Sequence, residues 1–358
     1  MSTELYELKT LNLKHQCDRI QLKDFLERED LSLDADLDYA LCISDGDKII
    51  ASGCAAGNVL KCIAVNESYQ GQTITNRIMT YLRLRAYHEG FASLFLYTKP
   101  ENEAVFKDLG FFLIASSENA ILMENTSDGC QRYIDSLVLP ENRKEAAALV
   151  MNCNPFTLGH RYLIEKACRD HEVVHLFILK EDLSVFSFND RMNLVRRGTK
   201  DLKNLYIHEG RDYIISRATF PSYFLKDQKI LDRNHALLDL DLFSKKIAPS
   251  LGITTRLVGE EPFCPVTSLY NSLMKEILPP RGIKVVEIPR KEVEGAAVSA
   301  TKVRKALAVG NIDQLKNWVP PSTYSFLISA DGARYGKMIR EKEHEDHENR
   351  LSRNTGVQ

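Results

Sequence analysis

Hydrophobic positions change their rhythm along this chain. From about residue 143, unbroken apolar runs alternate with stretches whose apolar residues recur at helical spacing. "AALVMN" and "VVHLFILK" read as strands buried on both faces, and "NLYIHEG", "ITTRLVG" and "IKVVEIPR" as further strands. Between and after them, "TLGHRYLIEKACR", "FNDRMNLVRRGTKDL", "LFSKKIAPSLG", "YNSLMKEILPP" and "ATKVRKALAVGN" read as helices. Strand and helix in alternation predict a parallel sheet with crossover helices, a doubly wound, Rossmann-like α/β domain over 143–328. The first 125 residues follow another plan. "LDYALCISDGDKIIASGCAAGNVLKCIAV" reads as consecutive strands, with "SDGDK" as a hairpin signal. A helix "ITNRIMTYLRLRAYHEGF", a strand "SLFLYTK" and a helix "ENEAVFKDLG" complete an α+β unit, in which Tyr81, Leu82, Leu84 and Tyr87 are expected to form a core stripe. The polar cluster at 125–129 marks a linker over 126–142, and the charged segment 329–358 is expected to be a frayed helix or disorder.

Composition narrows the functional classes. A length of 358 residues favours two domains, and 44 % apolar residues supply two cores. A net charge of −2, with 27 % charged residues, leaves no basic footprint for nucleic acid or an anionic membrane. No apolar run approaches a membrane span, and the N-terminus carries no signal-peptide pattern. Eight cysteines without a CxxC pair suit reduced thiols, so the expected location is the cytoplasm.

The chemistry concentrates where a strand meets a helix, in "MNCNPFTLGHRYLIEKA". In open α/β sheets, ligands sit at the carboxyl ends of strands. Thr157 is expected at the helix start, with Gly159 and His160 in the first turn. That turn has free N–H groups and the positive end of the helix dipole, and so attracts phosphate. Gly159 lets a ligand approach the backbone. His160 and Thr157 can donate to phosphoryl oxygens as a nucleophile displaces pyrophosphate. The plain alternative is a Thr N-cap with an exposed His. A second segment, "VSATKVRKAL", opens another helix with Ser299 and Thr301, and places Lys302 and Arg304 beside it as a second anion site. Lys180 ends a strand on the ligand side; Asp182, Arg191 and Arg217 are further polar candidates, each readable as a surface charge. Cys153 reads as a small buried filler, and His344 and His347 as part of a solvated tail.

The two segments resemble the (H/T)xGH and ISSTxxR signatures of the nucleotidyltransferase superfamily, with Val298 for the usual Ile and Ala300 for the usual second Ser. Together with "LFILKEDLSVF", "RDYIISRATFPSYF" and "RLVGEEPFCPVT", they resemble the citrate lyase ligase family over nearly the full chain. "TKPENEAVFKDLGF" resembles the last motif of GNAT-type acetyltransferases. "NESYQGQTITNRIM" stands where that fold binds a pyrophosphate: Gly71 matches, while Ser68 and Thr73 depart from the pattern. The resemblance implies a GNAT-like first domain and an adenylyl-transferring second one. It further implies attack of acetate on ATP, with Mg²⁺, followed by acetylation of a CoA-derived thiol on the acyl carrier subunit of citrate lyase. Carried over residue by residue, it gives Thr157, His160 and Lys180 catalytic roles. Asn154, Phe156, Gly159, Arg191, Gly259, Ser299, Thr301 and Arg304 would bind the nucleotide, and no residue set is assigned to a metal. Three other readings stay open: a nucleotidyltransferase acting on a phosphorylated cofactor precursor, an N-acetyltransferase with a nucleotide-sensing domain, and an assembly factor with an inactive nucleotide site.

Overall fold

A computed structural model describes residues 6–71, 73–141, 145–180, 184–216, 220–225, 227–261, 264–293 and 296–355. The chain forms two compact units: residues 1–136 with 219–243, and residues 137–218 with 244–358.

The first unit is a seven-stranded sheet in the order β1-β2-β3-β4-β5-β7-β6. Its strands are β1 (Glu7–Thr10), β2 (Tyr39–Asp45), β3 (Lys48–Ala56), β4 (Val59–Val65), β5 (Phe95–Thr98), β6 (Phe112–Ser116) and β7 (Ile121–Glu124). Helices α1 (Gln16–Arg28), α2 (Ile74–His88), α3 (Glu103–Asp108) and α4 (Gly129–Asp135) complete its N-terminal part. The β2–β3 hairpin turns at Gly46, whose φ of +56° is a glycine conformation, as "SDGDK" predicts. The core stripe of α2 differs from the expected one. Ile74, Ile78, Met79, Leu82 and Ala86 face the core, whereas Tyr81, Leu84 and Tyr87 are exposed. Steps of three from position 81 run along the opposite side of a helix whose i, i+4 row is 74, 78, 82.

Residues 126–142 are more than a linker, because α4 buries Cys130, Tyr133 and Ile134. The larger difference is 219–243, a stretch that the alternation of strands and helices assigns to the second domain. It belongs to the first unit. Helix α7 (Gln228–Leu242) packs along β6, where Asp241 accepts the Ser116 N–H at 3.0 Å and Asn234 accepts the Ser117 hydroxyl at 2.8 Å. Ahead of it, Asp34 accepts both the backbone N–H and the hydroxyl of Ser222. Lys61, buried in β4, lies 3.1 Å from Asp34 and 2.7 Å from Asp36, so the buried charges are paired.

The second unit carries a five-stranded parallel sheet in the order β10-β9-β8-β11-β12. The strands are β8 (Ala146–Met151), β9 (Val174–Ile178), β10 (Leu205–Glu209), β11 (Ile253–Gly259) and β12 (Lys284–Ile288). The strand order reverses between β8 and β11, which is where such a sheet opens a crevice. Helices α5 (Leu158–Asp170), α6 (Phe188–Gly198), α8 (Ala248–Leu251) and α9 (Pro265–Ile277) flank the sheet. A short hairpin, β13 (Glu292–Val293) and β14 (Ala296–Ala297), leads to α10 (Ala300–Ala308), α11 (Ile312–Leu315), α12 (Pro321–Leu327) and α13 (Ala330–Thr355). The C-terminal segment is therefore helical. Tyr335 and Ile339 of α13 are buried against Val303 and Leu307 of α10. Among the described residues, no helix is long and apolar enough to cross a membrane.

Candidate functional site

Strand β8 ends at Met151, in register with Ile178 of β9. Residues 152–156 turn the chain, and Thr157 then caps α5. The cap is reciprocal. The Thr157 hydroxyl accepts the His160 N–H at 3.3 Å, while Nδ1 of His160 accepts the Thr157 N–H at 3.1 Å. This second bond fixes the tautomer: with Nδ1 as acceptor, the neutral ring carries its proton on Nε2. Burial, together with the positive charge of Arg290, pushes the His160 pKa down to about 4. His160 is thus a neutral Nε2–H donor at neutral pH. Its ring stacks on Phe156, with centroids 6.1 Å apart and planes 13° from parallel. Phe156 is fully buried and meets α6 at Gly198, where a Cβ would stand 2.5 Å from the ring. Cys153 is likewise buried, and burial pushes its thiol pKa up.

The second predicted segment comes to the same place. Ser299 caps α10 by accepting the Lys302 N–H at 3.2 Å. Arg304 donates to the backbone carbonyl of Asn154 and, at 3.1 Å, to the Thr301 hydroxyl. The Val298 carbonyl lies 3.2 Å from where a Cβ of Gly159 would be. Asn154, Thr157, Gly159, His160, Ser299, Thr301 and Arg304 therefore line one region at the carboxyl edge of β8. Lys180 is exposed two residues past the end of β9, on the same edge. Gly259 ends β11 and packs on Leu163 of α5. Asp182 and Arg217 lie outside the described residues.

Arg191 has a different environment from the other candidates. It is fully buried, and its guanidinium donates to the Asn152 carbonyl and side-chain oxygen and to the Leu179 carbonyl, each at 2.8 Å, and to the Phe186 carbonyl at 3.1 Å. It ties the ends of β8 and β9 to the start of α6. Two charged residues escaped the motif reading. Arg290 follows β12, and its Nε donates to the Glu260 carbonyl at 2.8 Å while its guanidinium pairs with the Glu261 carboxylate. Glu261 follows β11. A signal was available: both lie just past carboxyl ends of parallel strands.

The first unit holds a separate cavity of about 260 Å³. Strands β4 and β5 pair only at Val59–Phe95 and Leu60–Leu96. Beyond that point Ile63, Ala64 and Val65 of β4 face Tyr97, Thr98 and Lys99 across the cavity, and Tyr223 and Phe224 also line it. The Tyr223 hydroxyl donates to the Tyr97 carbonyl at 2.5 Å.

A family model described as the citrate lyase ligase C-terminal domain matches residues 146–327. The [citrate [pro-3S]-lyase] ligase of Klebsiella pneumoniae is 43 % identical over 322 residues, covering 88 % of this chain and 94 % of that protein. Among solved structures, Escherichia coli ElaA aligns with 34 % of this chain and 99 % of its own at 12 % identity and a TM-score of 0.31. A bifunctional NMN adenylyltransferase/ADP ribose pyrophosphatase from Francisella tularensis, complexed with AMP and a manganese ion, aligns with 60 % of this chain and 57 % of its own at 17 % identity and a TM-score of 0.40. With that family model spanning residues 146–327, and the Klebsiella pneumoniae ligase 43 % identical along most of both chains, the chain belongs to the citrate lyase ligase family.

Proposed function

We propose that the chain is an ATP-dependent acid–thiol ligase acting in the cytoplasm. A carboxylate oxygen of acetate attacks the α-phosphorus of ATP. The bond from that phosphorus to the bridging oxygen breaks, and pyrophosphate leaves. The thiol of a CoA-derived group on the acyl carrier subunit of citrate lyase then attacks the acetyl carbonyl carbon. The bond to AMP breaks, the thiol proton is lost to solvent, and the carrier leaves as a thioester. Both nucleophiles arrive with substrates, so the chain supplies position and charge rather than a covalent intermediate. The observation that carries this reading is the bond from the Thr157 N–H to Nδ1 of His160 at the start of α5, with Arg304 bonded to the loop beside it.

In this reading His160 and Thr157 act on the α-phosphate, Lys180 reaches the phosphates from the end of β9, and Ser299, Thr301 and Arg304 hold the leaving pyrophosphate. Arg191 acts indirectly, by holding the loop ends. Among the described residues, no group of three His, Cys, Asp or Glu side chains could hold a metal ion. Mg²⁺ would be held by ATP phosphate oxygens and water, where it would screen the triphosphate charge.

The first unit is proposed to hold the carrier's prosthetic arm in the cavity between β4 and β5. An open strand edge offers backbone groups to an extended, amide-bearing chain. Ala64→Trp would fill the cavity. It should leave acetate-dependent pyrophosphate release intact and weaken transfer to the carrier. Equal transfer by this variant would remove the first unit from the reaction. The test of the chemistry is pyrophosphate release from ATP and Mg²⁺, with and without acetate, in wild type and His160→Ala. Release that ignores acetate would favour a phosphorylated cofactor precursor as nucleophile.

A further inference from the structure

We propose that Arg290 binds a phosphate of the nucleotide on the His160 side of the site, and that Glu261 is the positioning residue that aims it. The proposal rests on the reading above only in taking ATP as the ligand.

Arg290 lies two residues past the carboxyl end of β12, at the edge of the sheet where ligands of open parallel sheets sit. The Glu260 N–H donates to the Ile288 carbonyl at 2.9 Å, so the chain leaving β11 stays beside the chain leaving β12. Arg290 closes this arrangement by donating back to the Glu260 carbonyl.

The flanking residues bring Arg290 to α5. Lys291, next in sequence, sets its ammonium 6.0 Å from the ring centroid of Tyr162, in the first turns of α5. The Lys291 carbonyl accepts the Val298 N–H at 3.1 Å, and the Val298 carbonyl closes over Gly159. The segment that carries Arg290 thus comes close to α5 at two points, Tyr162 and Gly159. The charge of Arg290 also adds to burial in lowering the His160 pKa.

The surroundings argue against a solvated surface pair. The side chains of Arg290 and Glu261 are only 24 % and 16 % exposed. Glu261 is itself fixed, because its other carboxylate oxygen accepts the Cys264 N–H at 3.2 Å at the start of α9. A planar guanidinium bonded to the Glu260 carbonyl and the Glu261 carboxylate keeps its orientation, which suits recognition of a phosphate better than a mobile lysine would. Beside the donors from α5 and α10 and Lys180 past the end of β9, Arg290 adds a cation from past the end of β12.

The test compares wild type with Arg290→Met, Arg290→Lys and Glu261→Gln. ATP affinity is read by calorimetry without acetate, and kinetic constants by pyrophosphate release. Arg290→Met is expected to lower kcat/KM for ATP about 100-fold, the usual size for loss of one aimed donor, with the KM for acetate unchanged. Arg290→Lys should recover part of this loss, and Glu261→Gln should lose about tenfold or less. The acid limb of the pH–rate profile should move upward in Arg290→Met, because His160 loses a repelling charge. The double variant Arg290→Met with Glu261→Gln removes both charges, and its melting temperature and ATP affinity separate folding from binding. ATP affinity in Arg290→Met within about threefold of wild type would overturn the proposal, as would a change confined to the KM for acetate. If wild type shows no acetate dependence while Arg290→Met still loses ATP affinity, the acetate reading fails and this proposal stands.

Discussion

The Val298 carbonyl oxygen stands 3.2 Å from the point where a Cβ on Gly159 would lie. The two segments of the candidate site are therefore fitted to each other at a glycine. Gly159→Ala should change the melting temperature little, because the helix propensity gained, up to about 1 kcal/mol, is offset by the cost of shifting the Val298 backbone. The methyl group must push Val298 and the start of α10 outward, so pyrophosphate release should fall about tenfold or more. Full activity in this variant would show that the spacing does not matter.

His160 gives a pH prediction. Protonation places a second proton on Nδ1, which then faces the Thr157 N–H instead of accepting from it. The cap breaks as the ring charges. Acetate-dependent release should therefore hold as pH falls through 6.5 and decline only toward about 4. A rate profile with its acid limb near 6.5 would contradict the buried, neutral ring.

Thr157→Ala removes the hydroxyl side of the same cap. It should cost about 1 kcal/mol of stability, the usual value for an N-cap, measured by urea unfolding. The backbone half of the bond remains, so His160 keeps its tautomer. Activity should fall less in Thr157→Ala than in His160→Ala.

Arg191→Ala strands the Asn152, Leu179 and Phe186 oxygens in a buried place. With each unsatisfied group costing about 1–3 kcal/mol, the loss should be on the order of 4 kcal/mol, read as a lower urea midpoint. If Arg191 instead touches nucleotide, stability would hold and only the KM for ATP would rise.

A buried histidine pair offers a test of stability against pH. Nδ1 of His175 and Nε2 of His208 lie 2.9 Å apart, on adjacent strands β9 and β10. Burial pushes His175 down to about 4 and His208 to about 3, from 6.5. The unfolded chain takes up these protons first as pH falls. The stabilisation is thus complete above about 6.5 and is lost progressively toward 4 and 3. Denaturation midpoints at about pH 7 and about pH 4.5 should differ more in wild type than in a His175→Gln, His208→Gln variant.

Much of the second unit was legible because its strands are apolar runs and its helices keep a helical period. The candidate site's geometry was legible where it is local: Thr157, Gly159 and His160 share the first turn of α5, and Ser299, Thr301 and Arg304 lie at the start of α10. What stayed hidden depends on long-range geometry. Arg191 sits in a polar helix start, and its burial follows from carbonyls contributed by β8 and β9. Arg290 and Glu261 are ordinary charges until the sheet sets their strand ends side by side. In α2, an apolar count cannot separate Leu82 from Tyr81 and Leu84, because a broad apolar surface hides which row meets the sheet. Helix α7 is rich in leucine and would suit either unit; its place depends on Asn234 and Asp241 meeting groups of β6 and the turn after it.

The return of residues 219–243 to the first unit carries a consequence for synthesis. Asp241 and Tyr223 reach partners in that unit only after the ribosome has already made β8, β9 and β10. All seven strands of the first sheet are made before β8, but the helix that packs along β6 follows only after three strands of the next sheet. Synthesis of the two units is thus interleaved, whereas domains that follow each other along a chain are completed one after the other.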